Sequence, residues 1–167
     1  MGKTGKSHQM KILLAVDSSP YSAEAVRAVT RQPWPIGTKI RVLSAVGNLG
    51  PPPMDPFMFD AGGSLDQLQQ QRTKAANQLT QRVAHSLRAS GLRAETVVRE
   101  GDPRSAIVDE AENWKANLIV LGSHGYTGIK KWLLGSVAQS VVSHAPCSVE
   151  VVRRRVAGRL NLGRRRD

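Results

Sequence analysis

Two short, almost unbroken apolar runs constrain the fold of this chain more than any other feature of its sequence. They occupy residues 12–16, Ile-Leu-Leu-Ala-Val, and residues 118–121, Leu-Ile-Val-Leu. Because neither run alternates with polar residues, each predicts a strand that is covered on both faces, as strands are inside a parallel sheet. Parallel strands need a crossover connection, which is usually a helix. We therefore expect strands and helices to alternate.

Strand and helix patterns do alternate along the rest of the chain. The predicted strands are 11–16, 39–46, 94–99, 118–121 and 148–152, and the predicted helices are 21–31, 65–89, 103–114 and 135–143. Asp102-Pro103 is a typical helix start, with Asp102 as the N-cap and Pro103 at the first helical position. The order predicts a single-domain α/β fold of Rossmann-like type, with an open five-stranded parallel sheet and helices on both faces.

The segments outside this alternation divide the chain. Residues 10–152 form the predicted domain, interrupted by a long loop rich in proline and glycine at 47–64. Residues 1–9 are interpreted as a disordered leader or a non-native remnant, and residues 153–167 as a basic tail. The net charge is +11, but leader and tail hold nine of the 24 basic residues, which leaves a body of +3. The basicity therefore predicts a solvated tail more than a nucleic-acid-binding domain.

Composition disfavours several classes of protein. No apolar run approaches the roughly 18–20 residues that span a bilayer, and the N-terminus lacks the apolar region of a signal peptide. Cys147 is the only cysteine, so no intrachain disulfide can form, and no His, Cys or Asp cluster has the spacing of zinc ligands. These observations fit a cytoplasmic location. Residues 2–7 end like a phosphate-binding Walker loop. Only two residues separate their two glycines, however, whereas the Walker pattern requires four between them.

A glycine-spaced loop follows the fourth predicted strand. Gly122-Ser123-His124-Gly125 comes directly after the strand, nine residues follow, and Gly135-Ser136 begins a helix. Glycines allow positive φ angles and a close approach of backbone to ligand, and the amides at a helix N-terminus attract anions. Taken alone, the glycines suit a phosphate cradle and a simple tight turn equally well.

The same pattern, Gly-x-x-Gly, nine residues and then Gly-Ser, resembles the ATP-binding branch of the universal stress protein family. The resemblance extends over residues 10–152 and includes the first strand with its following Asp17, the Gly101-Asp102-Pro103 turn, and Ala145-Pro146-Cys147-Ser148-Val149. It implies a fold of the adenine nucleotide alpha-hydrolase type. It also implies ATP or another adenine nucleotide as the ligand, with Mg²⁺ or Mn²⁺ as the accompanying ion.

The resemblance also implies which residues contact the nucleotide. Asp17 matches an acid near the ribose and is the candidate to hold nucleotide-bound Mg²⁺, while Ala45 matches a contact to the base. Ala138 stands where the family often has Ser or Thr, which would remove one phosphate contact. The implied nucleotide-binding set is Ala15, Val16, Asp17, Ser18, Ala45, Leu121, Gly122, His124, Gly125, Gly135, Ser136, Val137 and Ala138.

The last predicted strand, 148–152, lies at a sheet edge, where unpaired backbone groups favour association. In the family this strand pairs with its copy across a two-fold axis, so the resemblance implies a homodimer.

Three functions remain open at this stage. The leading hypothesis is a universal stress protein that holds ATP or a related nucleotide as a stress-response switch or partner-binding protein, with slow hydrolysis or autophosphorylation at most. The second is a genuine Mg²⁺-dependent ATPase or phosphotransferase, although nothing in the loop resembles a water-orienting Gln or an arginine finger. The third is a binder of nucleic acid or of an acidic partner through the arginine-rich tail, with a salt-sensitive and sequence-blind affinity.

Overall fold

The computed structural model describes residues 9–48, 65–125 and 134–154. Four predicted segments therefore lie wholly or largely outside the described residues. They are the leader through residue 8, the loop from residue 49 to 64, the first eight residues (126–133) of the nine-residue segment between Gly125 and Gly135, and the tail from residue 155.

Strands and helices alternate strictly in the described residues. The elements are β1 (Lys11–Ala15), α1 (Pro20–Arg31), β2 (Lys39–Val46), α2 (Leu65–Ala89), β3 (Arg93–Glu100), α3 (Pro103–Trp114), β4 (Leu118–Gly122), α4 (Ser136–His144) and β5 (Ser148–Val152). Each boundary lies within one residue of its prediction. In the described part of the chain, no helix is long and apolar enough to cross a membrane.

The five strands form one sheet in the order β3-β2-β1-β4-β5. Every neighbouring pair is parallel, as the unbroken apolar runs predicted. The strand order reverses between β1 and β4, because the chain first adds strands on one side of β1 and then on the other. The predicted α/β class and the open five-stranded parallel sheet are confirmed.

Two separate cores cover the two faces of the sheet. One contains Ile12 and Leu14 of β1 with residues of α1 and α2. The other contains Leu13 of β1 with residues of α3 and α4. Successive side chains of a strand point to opposite faces, so an apolar run without alternation supplies both cores. Ile12, Leu13 and Leu14 are fully buried.

Local sequence signals set the helix ends. Ser19 caps α1 and accepts a hydrogen bond from the amide of Ser22, and Asp102 caps α3 in the same way from Arg104. The Arg104 guanidinium and amide beside Asp102 lower the pKa of that carboxyl to about 2. At the other end of α3, Lys115 adopts a left-handed conformation with φ of 57° and stops the helix.

A buried carboxylate fixes α3 against the sheet. Glu110 of α3 is only 2% exposed, and its two oxygens accept hydrogen bonds from Arg41 Nη1 at 2.6 Å and Arg99 Nε at 2.7 Å. Arg41 also bonds Glu95 through Nε at 2.7 Å, and its guanidinium lies 4.4 Å from the ring centre of Trp114. A buried charge needs this degree of pairing to offset its lost hydration. The cluster therefore specifies where α3 crosses β2.

We predict that Glu110→Ala lowers the free energy of unfolding by about 2–3 kcal/mol, because it removes two charge-assisted bonds, one from Arg41 and one from Arg99, and leaves Arg41 paired only with Glu95 among the described residues. The matched control is Glu112→Ala, an exposed position on the same helix, where we expect a change within about 0.5 kcal/mol. Urea denaturation measures both. Equal stabilities of the two variants would contradict the structural role assigned to Glu110.

Candidate functional site

The carboxyl ends of β1 and β4 lie side by side, and the polar residues that follow them meet there. β1 and β4 are paired in parallel from Ile12↔Leu118 to Leu14↔Val120. The strand order reverses between these two strands, and ligands of open α/β sheets bind in the crevice at that position. Asp17 follows β1 and the glycine loop follows β4, so the fold brings together two segments that are far apart in the sequence.

Asp17 is held by a tight network of hydrogen bonds at the start of α1. Its Oδ1 accepts from the amide of Ser19 at 3.0 Å, and its own amide donates to Ser22 Oγ at 3.0 Å. The amide of Ser22 in turn donates to Ser19 Oγ at 3.1 Å. The helix cap is therefore Ser19, and Asp17 is not the cap but a carboxylate fixed just before it. This arrangement leaves Oδ2 directed towards the glycine loop.

The first two glycines of the loop lie against the chain that follows β1, where a side chain would overlap Tyr21 or press on Asp17. A Cβ on Gly122 would lie 2.7 Å from the carbonyl carbon of Tyr21 and 2.9 Å from its oxygen. A Cβ on Gly125 would lie 3.1 Å from Asp17 Oδ2. The loop after β4 and the turn after β1 are thus in direct contact, and two predicted site residues, Asp17 and Gly125, are neighbours.

The third glycine closes the loop on itself. The amide of Gly135 donates to the carbonyl of Ser123 at 2.8 Å. A Cβ on Gly135 would lie 3.1 Å from the Cα of His124 and 3.2 Å from the Ser123 oxygen. The amide of Ser123 donates to Val152 at the end of β5 at 2.8 Å. The two ends of the loop are therefore joined at the sheet edge, although residues 126–133 between them are outside the described residues.

The expectation that these glycines supply positive φ angles is wrong. In the described part of the chain, the glycines with positive φ are Gly37, Gly91 and Gly101, and Gly135 has φ of −62°. The space around these glycines is what distinguishes them, since a Cβ on Gly122 would overlap the Tyr21 backbone, and a Cβ on Gly125 or Gly135 would press on Asp17 or His124. Sequence alone could not separate these two reasons, since both lead to glycine.

The N-terminus of α4 begins at the closed loop. Gly135 is its N-cap and makes no side-chain cap bond, so the amides of Ser136, Val137 and Ala138 have no intrahelical acceptor. Ser136 is exposed, whereas Ala138 is 2% exposed and belongs to the α3–α4 core. Ala138 can therefore offer a ligand only its amide, and its small side chain is used in packing.

His124 is fixed from two sides, with one nitrogen left unpaired. Its Nδ1 lies 3.1 Å from Ser123 Oγ, and its ring centre lies 4.9 Å from that of Tyr21. Its Nε2 is buried and has no hydrogen-bond partner among the described residues. A buried polar atom without a partner is uncommon and needs a specific explanation.

The remaining predicted residues lie around the same edge of the sheet. Ala15, Val16 and Leu121 are buried, and Ser18 is exposed. The amide of Val16 donates to Leu43 of β2 at 2.8 Å, so the chain after β1 is bound to the neighbouring strand. Ala45 is half-buried on that strand, two residues further along.

Sequence reasoning missed four residues that build this site. Residues 17–20, Asp-Ser-Ser-Pro, are a pattern that offers helix caps, and Ser19 could have been singled out there because Ser before Pro is a common helix start. Tyr21, Ser22 and Ser123 had no such signal, since their roles depend on contacts that only the fold creates. In the described residues, no group of three or more His, Cys, Asp or Glu side chains could hold a metal ion.

Comparisons with known proteins agree on one family. The profile of the universal stress protein family matches residues 9–153. A universal stress protein of Methanocaldococcus jannaschii is 29% identical over 153 residues, which cover 91% of this chain and 86% of the relative. The solved structure of a universal stress protein from Lactobacillus plantarum matches with a TM-score of 0.69 and 26% identity, over 86% of this chain and 97% of that chain.

Three further solved structures with the same fold were determined with adenine nucleotides. One from Archaeoglobus fulgidus, in complex with dAMP, has a TM-score of 0.62 and 21% identity over 86% of this chain and 97% of its own. One from Arabidopsis thaliana, with AMP bound, has a TM-score of 0.59 and 18% identity over 88% and 93%. A third, in complex with cAMP, has a TM-score of 0.60 and 20% identity over 87% and 97%.

We predict that Gly122→Ala destabilises the protein by about 1–3 kcal/mol, the usual range for an added methylene in a packed site, because its Cβ would meet the Tyr21 backbone. Gly47→Ala is the matched control, since its Cβ would lie 4.0 Å from the tip of Arg72, and we expect a change within about 0.5 kcal/mol. Chemical denaturation checks both variants. A Gly122→Ala protein as stable as the control would show that α1 and β4 are not in close contact.

Proposed function

The chain belongs to the universal stress protein family, and we propose that it binds an adenine nucleotide across the carboxyl ends of β1 and β4 and acts as a nucleotide-dependent stress-response switch or partner-binding protein. The observation that carries this proposal is the glycine loop. Its three glycines approach Tyr21, Asp17 and His124 so closely that a Cβ would lie 2.7–3.2 Å from the neighbouring atoms. Such close packing beside a helix N-terminus suits a phosphate-binding loop.

The ligand class is supported by proteins of the same fold. The solved structures with dAMP, AMP and cAMP share an adenine base, a ribose and a phosphate. The site described above offers groups for the anionic part of such a molecule, because α4 begins with free amides and its dipole favours negative charge. ATP is the member of this class that the loop spacing favours.

We assign the parts of the nucleotide to different elements. Gly125 and Gly135, with the amides of Ser136, Val137 and Ala138, would hold the phosphates. Asp17 would accept a hydrogen bond from the ribose. The base would lie near the ends of the strands. Its neighbours there would be Ala15, Val16, Ser18, Ala45 and Leu121, with Gly122 and His124 on the path to the phosphates.

A divalent ion would reach this site with the nucleotide. Asp17 is a single carboxylate, and one of its oxygens already accepts the Ser19 amide at 3.0 Å. Mg²⁺ is commonly held by one or two carboxylates together with substrate phosphates, and Asp17 fits that arrangement through Oδ2. Mg²⁺ or Mn²⁺ would supply charge neutralisation of the phosphates, and Asp17 would orient the ion.

Association through β5 is part of the proposal. β5 pairs with β4 on one side and is the last strand of the sheet. The side chains from Val149 to Val152 are only half-buried. A second copy of the chain could pair with this edge across a two-fold axis. The pairing would bury more of Val149, Val151 and Val152 and would place two nucleotide sites on one dimer. A cytoplasmic location stays a prediction from the sequence.

Ligand analysis tests the proposed binding. We expect denatured, freshly purified protein to release an adenine nucleotide that mass spectrometry identifies, and calorimetry to give binding of ATP or AMP. Gly135→Val should weaken this affinity at least about tenfold, or ~1.4 kcal/mol, because its side chain would displace His124. Gly47→Ala should bind like the wild type. A folded Gly135→Val protein, verified by circular dichroism, that keeps the ligand would exclude the glycine loop as the binding site.

A steady-state ATP hydrolysis assay distinguishes a nucleotide-dependent switch from a genuine ATPase. We expect ATP turnover far below about 1 per second, the lower end of the range for ordinary enzymes, because nothing in the glycine loop resembles a water-orienting Gln or an arginine finger. Asp17→Asn should reduce Mg²⁺-dependent binding of ATP more than binding of AMP. Turnover of about 1 per second or more that Asp17→Ala abolishes would overturn the switch and favour a genuine ATPase.

A further inference from the structure

The unpaired nitrogen of His124 is the strongest unexplained feature outside the roles already assigned. In the part of the chain that the structure describes, its Nε2 is buried without a partner, while its Nδ1 is 3.1 Å from Ser123 Oγ. Leaving a buried donor or acceptor unpaired is unfavourable, so the fold must hold the ring in this orientation against a cost. Two residues outside the predicted set, Tyr21 and Ser123, contact the ring.

Tyr21 packs directly on the imidazole. The two ring centres are 4.9 Å apart and the ring planes are tilted by 43°, within the range of favourable aromatic pairs. The position of Tyr21 is itself set by the contact of its backbone with Gly122, where no Cβ fits. The Tyr21 ring therefore restricts the rotation of the His124 side chain.

Ser123 contacts the other ring nitrogen of His124, Nδ1, through its hydroxyl. It is 1% exposed, and both its backbone groups are bonded, the amide to Val152 and the carbonyl to Gly135. With the Ser123 backbone fixed in this way, its hydroxyl at 3.1 Å can donate to Nδ1, and a hydrogen bond at one ring nitrogen decides which nitrogen carries the proton. With Nδ1 as the acceptor, the neutral ring carries its hydrogen on Nε2.

We propose that Tyr21 and Ser123 are positioning residues, which together hold His124 with its Nε2–H as a donor to a phosphate oxygen of the bound nucleotide. This inference rests on the proposed function. The acceptor is assigned as a phosphate oxygen because His124 directly precedes Gly125, and its Cα would lie 3.1 Å from a Cβ on Gly135, the N-cap of α4, where anions are favoured. In the free protein Nε2–H of His124 is already oriented as a donor, and the phosphate of the bound nucleotide supplies its acceptor.

A double-mutant cycle with AMP tests the role of Tyr21. We expect Tyr21→Ala and His124→Ala each to weaken AMP binding about tenfold in calorimetry, and the double variant to bind no more weakly than His124→Ala alone. Non-additivity is expected because Tyr21 acts only through His124. Tyr21→Phe keeps the ring and should bind AMP like the wild type. Additive losses, or an equal loss in Tyr21→Phe, would overturn the positioning role.

Adenosine separates a phosphate contact from a general structural effect. It lacks the phosphate, so its affinity, measured by saturation-transfer titration, should be the same in wild type, Tyr21→Ala and His124→Ala. Equal losses for adenosine and AMP would overturn the proposal and leave nucleotide binding itself intact. A wild-type protein that binds neither AMP nor ATP would overturn both the inference and the proposed function.

Long-range ¹H–¹⁵N spectra of the imidazole test the role of Ser123. In the free wild-type protein we expect Nε2 to be protonated and Nδ1 to be unprotonated. In Ser123→Ala this tautomer should no longer dominate, and AMP binding should weaken several-fold. Protonated Nδ1 in the wild type, or an unchanged tautomer and affinity in Ser123→Ala, would contradict the assignment.

Discussion

The burial of β1 from Ile12 to Ala15 is the constraint on which the rest of this structure depends. Its backbone is paired on both sides, by β2 and β4, and its side chains Ile12, Leu13 and Leu14 are fully buried in two cores. Nothing polar can be placed along such a strand without losing hydration. The first polar groups therefore come after its carboxyl end, where Asp17 is fixed beside the glycine loop.

The helices on the two faces are fixed by different physical means. On one face, the first turn of α1 contacts β4 through backbone atoms, since Tyr21 occupies the space where Gly122 would otherwise carry a Cβ. On the other face, α3 is fixed by the ion pairs of Glu110 with Arg41 and Arg99. Close backbone packing brings α1 to the site, while the charged cluster lies on the opposite face and stabilises the frame.

Much of the fold could be predicted, because the signals are local. Apolar runs predicted β1 and β4, and capping residues predicted the start of α3 at Asp102. The site was predictable only in part. Glycine spacing identified Gly122, Gly125 and Gly135, but the expected positive φ was wrong, because the requirement for glycine comes from neighbours distant in the chain. Tyr21 had no local signal, since an aromatic residue in a first helical turn has many ordinary uses.

The sequence by itself determined the order of elements, the parallel sheet and the loop that follows β4, because hydrophobic periodicity, caps and glycine spacing act over a few residues. Only the tertiary structure decided that Asp17 Oδ2 faces Gly125, that Ala138 is buried in a core, and that His124 is held between Tyr21 and Ser123 with Nε2 unpaired. The contacts of Asp17 with Gly125 and of Tyr21 with His124 join segments about a hundred positions apart, and their geometry is set by the packing of helices on one sheet.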